Sequence, residues 1–175
     1  MIELAYFTRE DFGTLMGWIP NEAFMIQWAG STFTFPLHVH QLEQYIKGAN
    51  QPISDTFVYK AIDQQTGQIM GHLSLQIDRR NDSARIGKVL IGEESARGKG
   101  MGLRLIEAAA ELAFCTFKLH RVSLGVFDFN HAAISCYERA GFQREGLLRD
   151  VRKCGEEYWS LLEMSLLEEE WKRRM

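Results

Sequence analysis

The stretch from Ile91 to Gly102, Ile91-Gly92-Glu93-Glu94-Ser95-Ala96-Arg97-Gly98-Lys99-Gly100-Met101-Gly102, does most to limit what this chain can fold into. It joins an apolar run, Lys88 to Ile91, to a helical pattern that begins near Gly100. Glycines at alternate positions, 98, 100 and 102, keep bulky side chains away from the backbone, so its N–H groups can approach a ligand closely. The helix that follows adds unpaired N–H groups and a partial positive charge at its first turn. Arg97 and Lys99 bring two full charges to the same place, a combination suited to an anion with several oxygens such as a pyrophosphate. The alternative is a flexible surface turn with no ligand. Two familiar phosphate loops are excluded by spacing. A P-loop needs four residues between its first Gly and Gly-Lys, then Ser or Thr; here five residues separate Gly92 from Gly98, and Gly100 follows Lys99. A dinucleotide fingerprint needs Gly or Ala where Leu103 and Leu105 stand.

With 175 residues the chain suits one domain with a sizeable core, and 46% hydrophobic residues set it apart from disordered sequences. A net charge of −3 gives no global basic surface, so neither nucleic acid nor a membrane is expected as a partner. No apolar run is long enough to span a bilayer, and the N-terminus lacks a basic flank and apolar core of an export signal. The three cysteines, Cys115, Cys136 and Cys154, lie 21 and 18 residues apart and form no metal-ligand spacing, so no metal is expected. They read as reduced thiols of a cytoplasmic protein.

Ile2, Leu4 and Tyr6 alternate as in a half-buried strand, and Thr8 with Asp11 marks a helix start. Short helices follow over Glu22 to Trp28 and Val39 to Lys47. Trp18, Phe24, Trp28, Phe33 and Phe35 around them form either a small core or the wall of a substrate pocket. Asp55 to Ile62 and Gln68 to Ile77 read as a hairpin across Asp63 to Gly67, and Ala84 to Ile91 is the strand that feeds the glycine loop. Beyond Gly100, Leu103, Ile106, Ala109, Ala110, Ala113 and Phe114 recur at helical spacing. Arg121 to Phe127 alternates as a strand, and Asn130 caps a helix from His131 to Arg139 that Gly141 stops. Leu147 to Lys153 and Glu157 to Leu167 make a terminal hairpin, and Glu168 to Met175 a charged tail. Strand, helix, strand, helix in the middle of an antiparallel series requires a parallel crossover there, an α/β (α+β) arrangement.

Arg97-x-x-Gly100-x-Gly102 at the end of a strand resembles the acyl-CoA signature of the GCN5-related N-acetyltransferases. Asn130-x-x-Ala133-x-x-x-Tyr137-x-x-x-Gly141-Phe142 resembles the second acetyl-CoA motif of the same family. The ending from Gly155 to Ser160 is similar to the branch containing ribosomal-protein N-terminal and spermidine acetyltransferases. The resemblance covers roughly residues 50 to 168 and implies a mixed, mostly antiparallel sheet of six to seven strands, flanked by helices, whose central parallel pair splays into a V. One domain over residues 1 to 175 is then expected, with about 1 to 50 as a helical substrate-side region and about 51 to 168 as the sheet and acetyl-CoA core. Acetyl-CoA is the implied acyl donor. The backbone of Val89, Leu90 and Ile91 would hold its pantetheine, and Arg97, Gly98, Lys99, Gly100, Met101 and Gly102 its pyrophosphate. Asn130 is implied as a polar contact to it, a role compatible with capping.

The implied chemistry is attack of a free amine on a thioester with expulsion of a thiolate. Tyr137 stands where the family places the general acid, with the alternative of a core tyrosine. Many relatives carry a Glu in an Ala-Glu-Ile-Gly pattern; here the string is Ala84-Arg85-Ile86-Gly87, and Arg85 cannot accept a proton. Glu22, Glu93, Asp128, His72, His120, His131 or a water are the remaining bases. An α-amine with pKa about 8 is far more often free at neutral pH than a lysine-like amine near about 10.4, so a missing base leans toward a protein N-terminus, amino acid or amino sugar over a polyamine. The expected function is acetyl-CoA-dependent N-acetylation of a primary amine, the alternative a non-catalytic acyl-CoA sensor on the same fold. The exposed edges of such a sheet make a homodimer a further expectation.

Overall fold

The computed structural model describes residues 1–92 and 98–174. Seven strands form one sheet in the order β1-β2-β3-β4-β5-β7-β6. They are β1 (Ile2–Tyr6), β2 (Thr56–Asp63), β3 (Ile69–Asp78), β4 (Ser83–Ile91), β5 (Arg121–Phe127), β6 (Gln143–Cys154) and β7 (Glu157–Leu167). Every neighbouring pair is antiparallel except β4 and β5, which run parallel. The expected crossover supplies the reason: parallel neighbours need a long connection, and here it is the glycine loop with α4 (Met101–Glu111). Another turn and a half, Leu112–Thr116, continues α4 with π-helical spacing.

One face of the sheet packs on α4 and on α5 (His131–Arg139) through an aliphatic core that includes Leu73, Leu75, Ile86, Leu105, Ile106, Leu124 and Met164. The other face is covered by α1 (Phe12–Gly17), α2 (Glu22–Ala29) and α3 (Val39–Ile46), around an aromatic core with Phe7, Phe12, Trp28 and Phe33. Because both faces are covered, β3 is buried on both: Leu73 and Leu75 point to the aliphatic side, and His72 is 1% exposed with Ser74 also buried. Asp11 is buried too, where Lys60 donates to its two oxygens at 2.8 and 3.0 Å and the Thr8 N–H donates at 2.7 Å. The expected acidic partner of Thr8 therefore also anchors a cross-sheet ion pair.

Two expectations are corrected. The chain after Glu168 is not merely a charged tail: Glu168–Lys172 is a short helix, α6, with the Trp171 ring 6.0 Å from Phe114, so an aromatic contact seats it on the core. β6 begins at Gln143, four residues before Leu147, because its pairing with β7 extends to Gln143 opposite Ser165.

Candidate active site

The site is made by a defect in β4. Opposite β3, Gly87 pairs with Ser74 and Leu90 with His72, which leaves Lys88 and Val89 facing the single residue Leu73. This is a β-bulge, with Lys88 at φ +50°. The Trp28 indole N–H donates to the Lys88 carbonyl at 2.8 Å, fixing the bulge from α2. Strict alternation would put Leu90 on the same face as Ala84 and Ile86; the extra residue turns it to the aromatic core instead. The bulge also bends β4 away from β5. Their parallel pairing runs from Ser83–Arg121 to Ile86–Leu124, and no further pair forms among the described residues.

The diverging strands enclose a cavity of about 220 Å³. Gly87, Lys88 and Val89 line one wall and Leu124 to Phe127 the other; Trp28 closes it from α2, and Asn130 and Tyr137 enter from α5. Gly125 leaves room between the strands: a Cβ there would sit 2.7 Å from the Arg85 guanidinium and 2.8 Å from Leu161. A second hollow of about 300 Å³, lined by Tyr45, Thr56, Ser74 and Gln76, shares Arg85, Gly87 and Lys88 with the first. A shallower one, of about 180 Å³, runs along Val89, Leu90 and Ile91 to Phe24 and Asn130.

Of the residues expected at the site, Val89, Leu90, Ile91 and Asn130 share that shallow hollow, and Tyr137 lies with Val89 and Asn130 in the main cavity. Asn130 accepts a hydrogen bond from the Ala133 N–H at 3.2 Å, so it is the cap of α5. Tyr137 is 8% exposed, and burial pushes its phenol above the ordinary tyrosine range. Its hydroxyl has no hydrogen-bond partner among the described residues. Gly98 and Gly100 have left-handed φ values of +74° and +76°, and a Cβ on either would meet nothing within 4 Å. Gly100 is the cap of α4, followed by Met101 and Gly102 in its first turn, whose N–H groups have no intrahelical acceptor. Lys99 lies in the turn between the two left-handed glycines and is exposed. Arg97 lies outside the described residues, as does Glu93. The open strand gap and the uncrowded glycine turn fit a long thioester with a phosphorylated end.

Arg85 is held by Glu163, which accepts from both guanidinium ends at 2.7 and 2.8 Å. The position at which a carboxylate was sought thus carries a cation neutralised by a carboxylate from β7. His72 is not available as a base. Burial, with the Lys88 charge adding to it, pulls its pKa down to about 3, and its Nε2 lies 3.1 Å from the Tyr45 hydroxyl. Glu22, Asp128, His120 and His131 line none of these three hollows.

Sequence reasoning missed Lys88, Gly125 and Arg152 as lining residues. A glycine inside the alternating strand Val122-Ser123-Leu124-Gly125-Val126 is a recognised sign of close approach, and could have flagged Gly125. Nothing local marks Lys88 or Arg152, since both depend on contacts with α2 and its loop.

A splayed parallel pair with a glycine turn at the end of one strand and a tyrosine-bearing helix after the other defines an acyl-CoA-dependent acyltransferase class. The chain belongs to the acetyltransferase (GNAT) family, whose model matches residues 22–142, and it is an N-acetyltransferase. It is similar to the aminoglycoside N(6')-acetyltransferase type 1 of Klebsiella pneumoniae, 25% identical over 155 residues that cover 83% of this chain and 75% of the relative. It is 32% identical over 71 residues to the spermine/spermidine N(1)-acetyltransferase of Bacillus subtilis (strain 168), covering 41% of this chain and 46% of that one. The fold superposes on the spermidine N-acetyltransferase of Vibrio cholerae in complex with CoA and spermine with a TM-score of 0.84, 23% identity and 98% coverage of both chains.

Proposed function

We propose that the protein transfers the acetyl group of acetyl-CoA to a primary amine in the cavity between β4 and β5, with Tyr137 as general acid. The observation that carries this reading is the divergence of the two strands beyond Ile86–Leu124, with Tyr137 and Asn130 on the wall of the gap. In this reading the backbone of Val89, Leu90 and Ile91 holds the pantetheine as an added strand, as an exposed strand edge does for a peptide. Gly98, Lys99, Gly100, Met101 and Gly102, with Arg97, hold the pyrophosphate, and Asn130 adds a polar contact while capping α5. Residues 1 to 175 act as one unit, the helical first 50 shaping the acceptor side. Three free thiols suit the cytoplasm, and the long outer strand β6 suits a homodimer.

The nitrogen lone pair forms the C–N bond, the C–S bond breaks, and the electron pair leaves on sulfur. Backbone N–H groups near Leu90 polarise the carbonyl oxygen. A phenol raised by burial stays protonated across the neutral range, so Tyr137 always has a proton to offer the departing sulfur. Transfer to a thiolate whose conjugate acid is near about 8.5 is uphill, which makes a strong hydrogen bond in the transition state the main contribution. The ammonium proton leaves to solvent water.

The test is a calorimetric titration with acetyl-CoA, followed by thiol release on adding amines. Binding and release are expected. Tyr137→Phe should lower turnover by about 100-fold and spare the acetyl-CoA Kd. Gly100→Glu should abolish binding. Binding without release for any amine would favour a non-catalytic acyl-CoA sensor.

A further inference from the structure

We propose that the acceptor amine carries an anionic group, a carboxylate or a phosphate, close to its nitrogen, and that Lys88, with Arg152 as a second cation, receives it. This rests on the acetyltransferase reading above and narrows its substrate class. The charges around the cavity are one-sided. Arg85, Lys88 and Arg152 line the 220 Å³ cavity, and no Asp or Glu among the described residues does. The adjoining 300 Å³ hollow contains Arg85 and Lys88 and again no carboxylate among the described residues. Arg85 is neutralised by Glu163. The other two cations have no carboxylate partner among the described residues.

Lys88 is half-buried, and its Nζ stands 5.0 Å from the centre of the Tyr45 ring. No carboxylate pairs with it among the described residues, and burial pulls its ammonium below the ordinary lysine range. Arg152 is half-buried against Gly30; one terminal nitrogen donates to the Ser31 hydroxyl at 3.0 Å, while its buried Nε has no partner among the described residues. Half-buried cations without counter-charges cost desolvation that an anionic ligand offsets. Two surface carboxylates beside the pocket do not serve: Asp55 and Asp78 line a separate hollow that shares only Arg85 with these two among its cations. Asp55 is paired with Arg79 at 2.7 Å, and Asp78 accepts from the Asn81 amide at 2.7 Å.

Such a pocket acts twice on its ligand. It attracts the anionic group into the hollow beside Tyr45, leaving the amine in the cavity that Tyr137 and Asn130 line. It also disfavours an ammonium, so the bound nitrogen loses its proton below its solution pKa and no general base is needed from the chain. A polyamine meets the opposite field, two cations with nothing to pair its own.

The experiment compares acceptors in matched pairs, by thiol release from acetyl-CoA: α-amino acids against their amides, a hexosamine 6-phosphate against the unphosphorylated hexosamine, and spermidine. An anionic member of a pair should exceed its uncharged counterpart by at least about tenfold in kcat/KM, with spermidine slower still. Lys88→Met and Arg152→Gln should each lower kcat/KM for the anionic acceptor by about 10- to 100-fold, mainly through KM, and shrink the ratio within the pair. Lys88→Arg should restore part of it. The acid limb of the kcat profile, which reports the bound amine, should lie below the amine's solution pKa and move up in Lys88→Met. The acetyl-CoA Kd, unchanged in both variants, shows that they fold. A preference for spermidine or for the uncharged members, or an equal loss for both members of a pair, overturns the proposal. Failure to bind acetyl-CoA overturns the acetyltransferase reading instead.

Discussion

The two faces of the sheet are built from different materials. Beneath α4 and α5 the core is mainly aliphatic, with Phe57, Tyr59, Phe114, Tyr137 and Phe142 as its buried rings, and its members fall at the spacings that strands and helices impose. Beneath α1, α2 and α3 it is aromatic and encloses polar groups: Asp11, His72 and Ser74 are all buried there or at its edge. Apolar packing alone can hold the first face. The second must satisfy hydrogen bonds and charges, and one of those groups, Ser74, lines the hollow beside the cavity. β4 is the element the two faces share, and the cavity at its bulge takes Trp28 from one face and Tyr137 from the other.

The sharpest way to break this comparison is to damage each face in its own currency. Leu105 is fully buried among aliphatic neighbours, so Leu105→Ala should cost about 3–5 kcal/mol, seen as a fall in Tm of about 10 °C with acetyl-CoA affinity retained at low temperature. On the other face Lys60→Met should cost about 3 kcal/mol, because it strands the Asp11 carboxylate in a buried site. Adding Asp11→Asn to Lys60→Met should recover part of that loss. If the double variant is no better than the single one, the ion pair is not what the aromatic face depends on.

Acid should distinguish the faces next. The folded pKa of His72 is depressed to about 3 from an unfolded value near about 6.5, so between those limits the unfolded chain binds the extra proton. The stabilisation is complete above about pH 6.5 and is lost as pH falls toward 3. At most about 2 kcal/mol should disappear between pH 6.5 and pH 5, read as a falling denaturant midpoint. His72→Gln should flatten that slope by up to one proton while keeping a partner for the Tyr45 hydroxyl. An unchanged slope would place the acid sensitivity elsewhere.

Legibility followed the same division. The helix from Asn130 to Gly141 was readable to the residue because its signals are local: a side-chain cap at one end and a glycine at φ +99° at the other. The strands of the aliphatic face were readable from their alternation. The bulge at Lys88 was not, since alternation in Ile86-Gly87-Lys88-Val89-Leu90 suggests an unbroken strand and only the Trp28 indole, sixty residues away, fixes the register. Tyr45 and His72 meet across 27 residues and Arg85 and Glu163 across 78, so their pairing had no local trace. The glycine loop was recognised by motif, and its α4 cap by glycine's tolerance of positive φ. The anionic preference inferred for the acceptor belongs to the illegible class: it arises from which charges fold next to one another.

The smallest expected effect probes where fold and function part company within a single turn. Gly102 sits in the first turn of α4 with φ in the ordinary range, and a Cβ there would lie 3.5 Å from the Cys136 sulfur, a normal contact. Gly102→Ala should therefore stabilise the free protein by up to about 1 kcal/mol through helix propensity and the unfolded state. If Gly102 is glycine so that its backbone can meet a pyrophosphate, the added methyl should weaken acetyl-CoA binding and shrink the rise in Tm that saturating acetyl-CoA produces. The two shifts have opposite signs, and differential scanning with and without acetyl-CoA reads both. A higher Tm in both conditions would mean that the residue serves only the join between β4 and α4. A lower Tm without acetyl-CoA would mean that the alanine contact with Cys136 is worse than its distance indicates, and would locate the glycine requirement in packing.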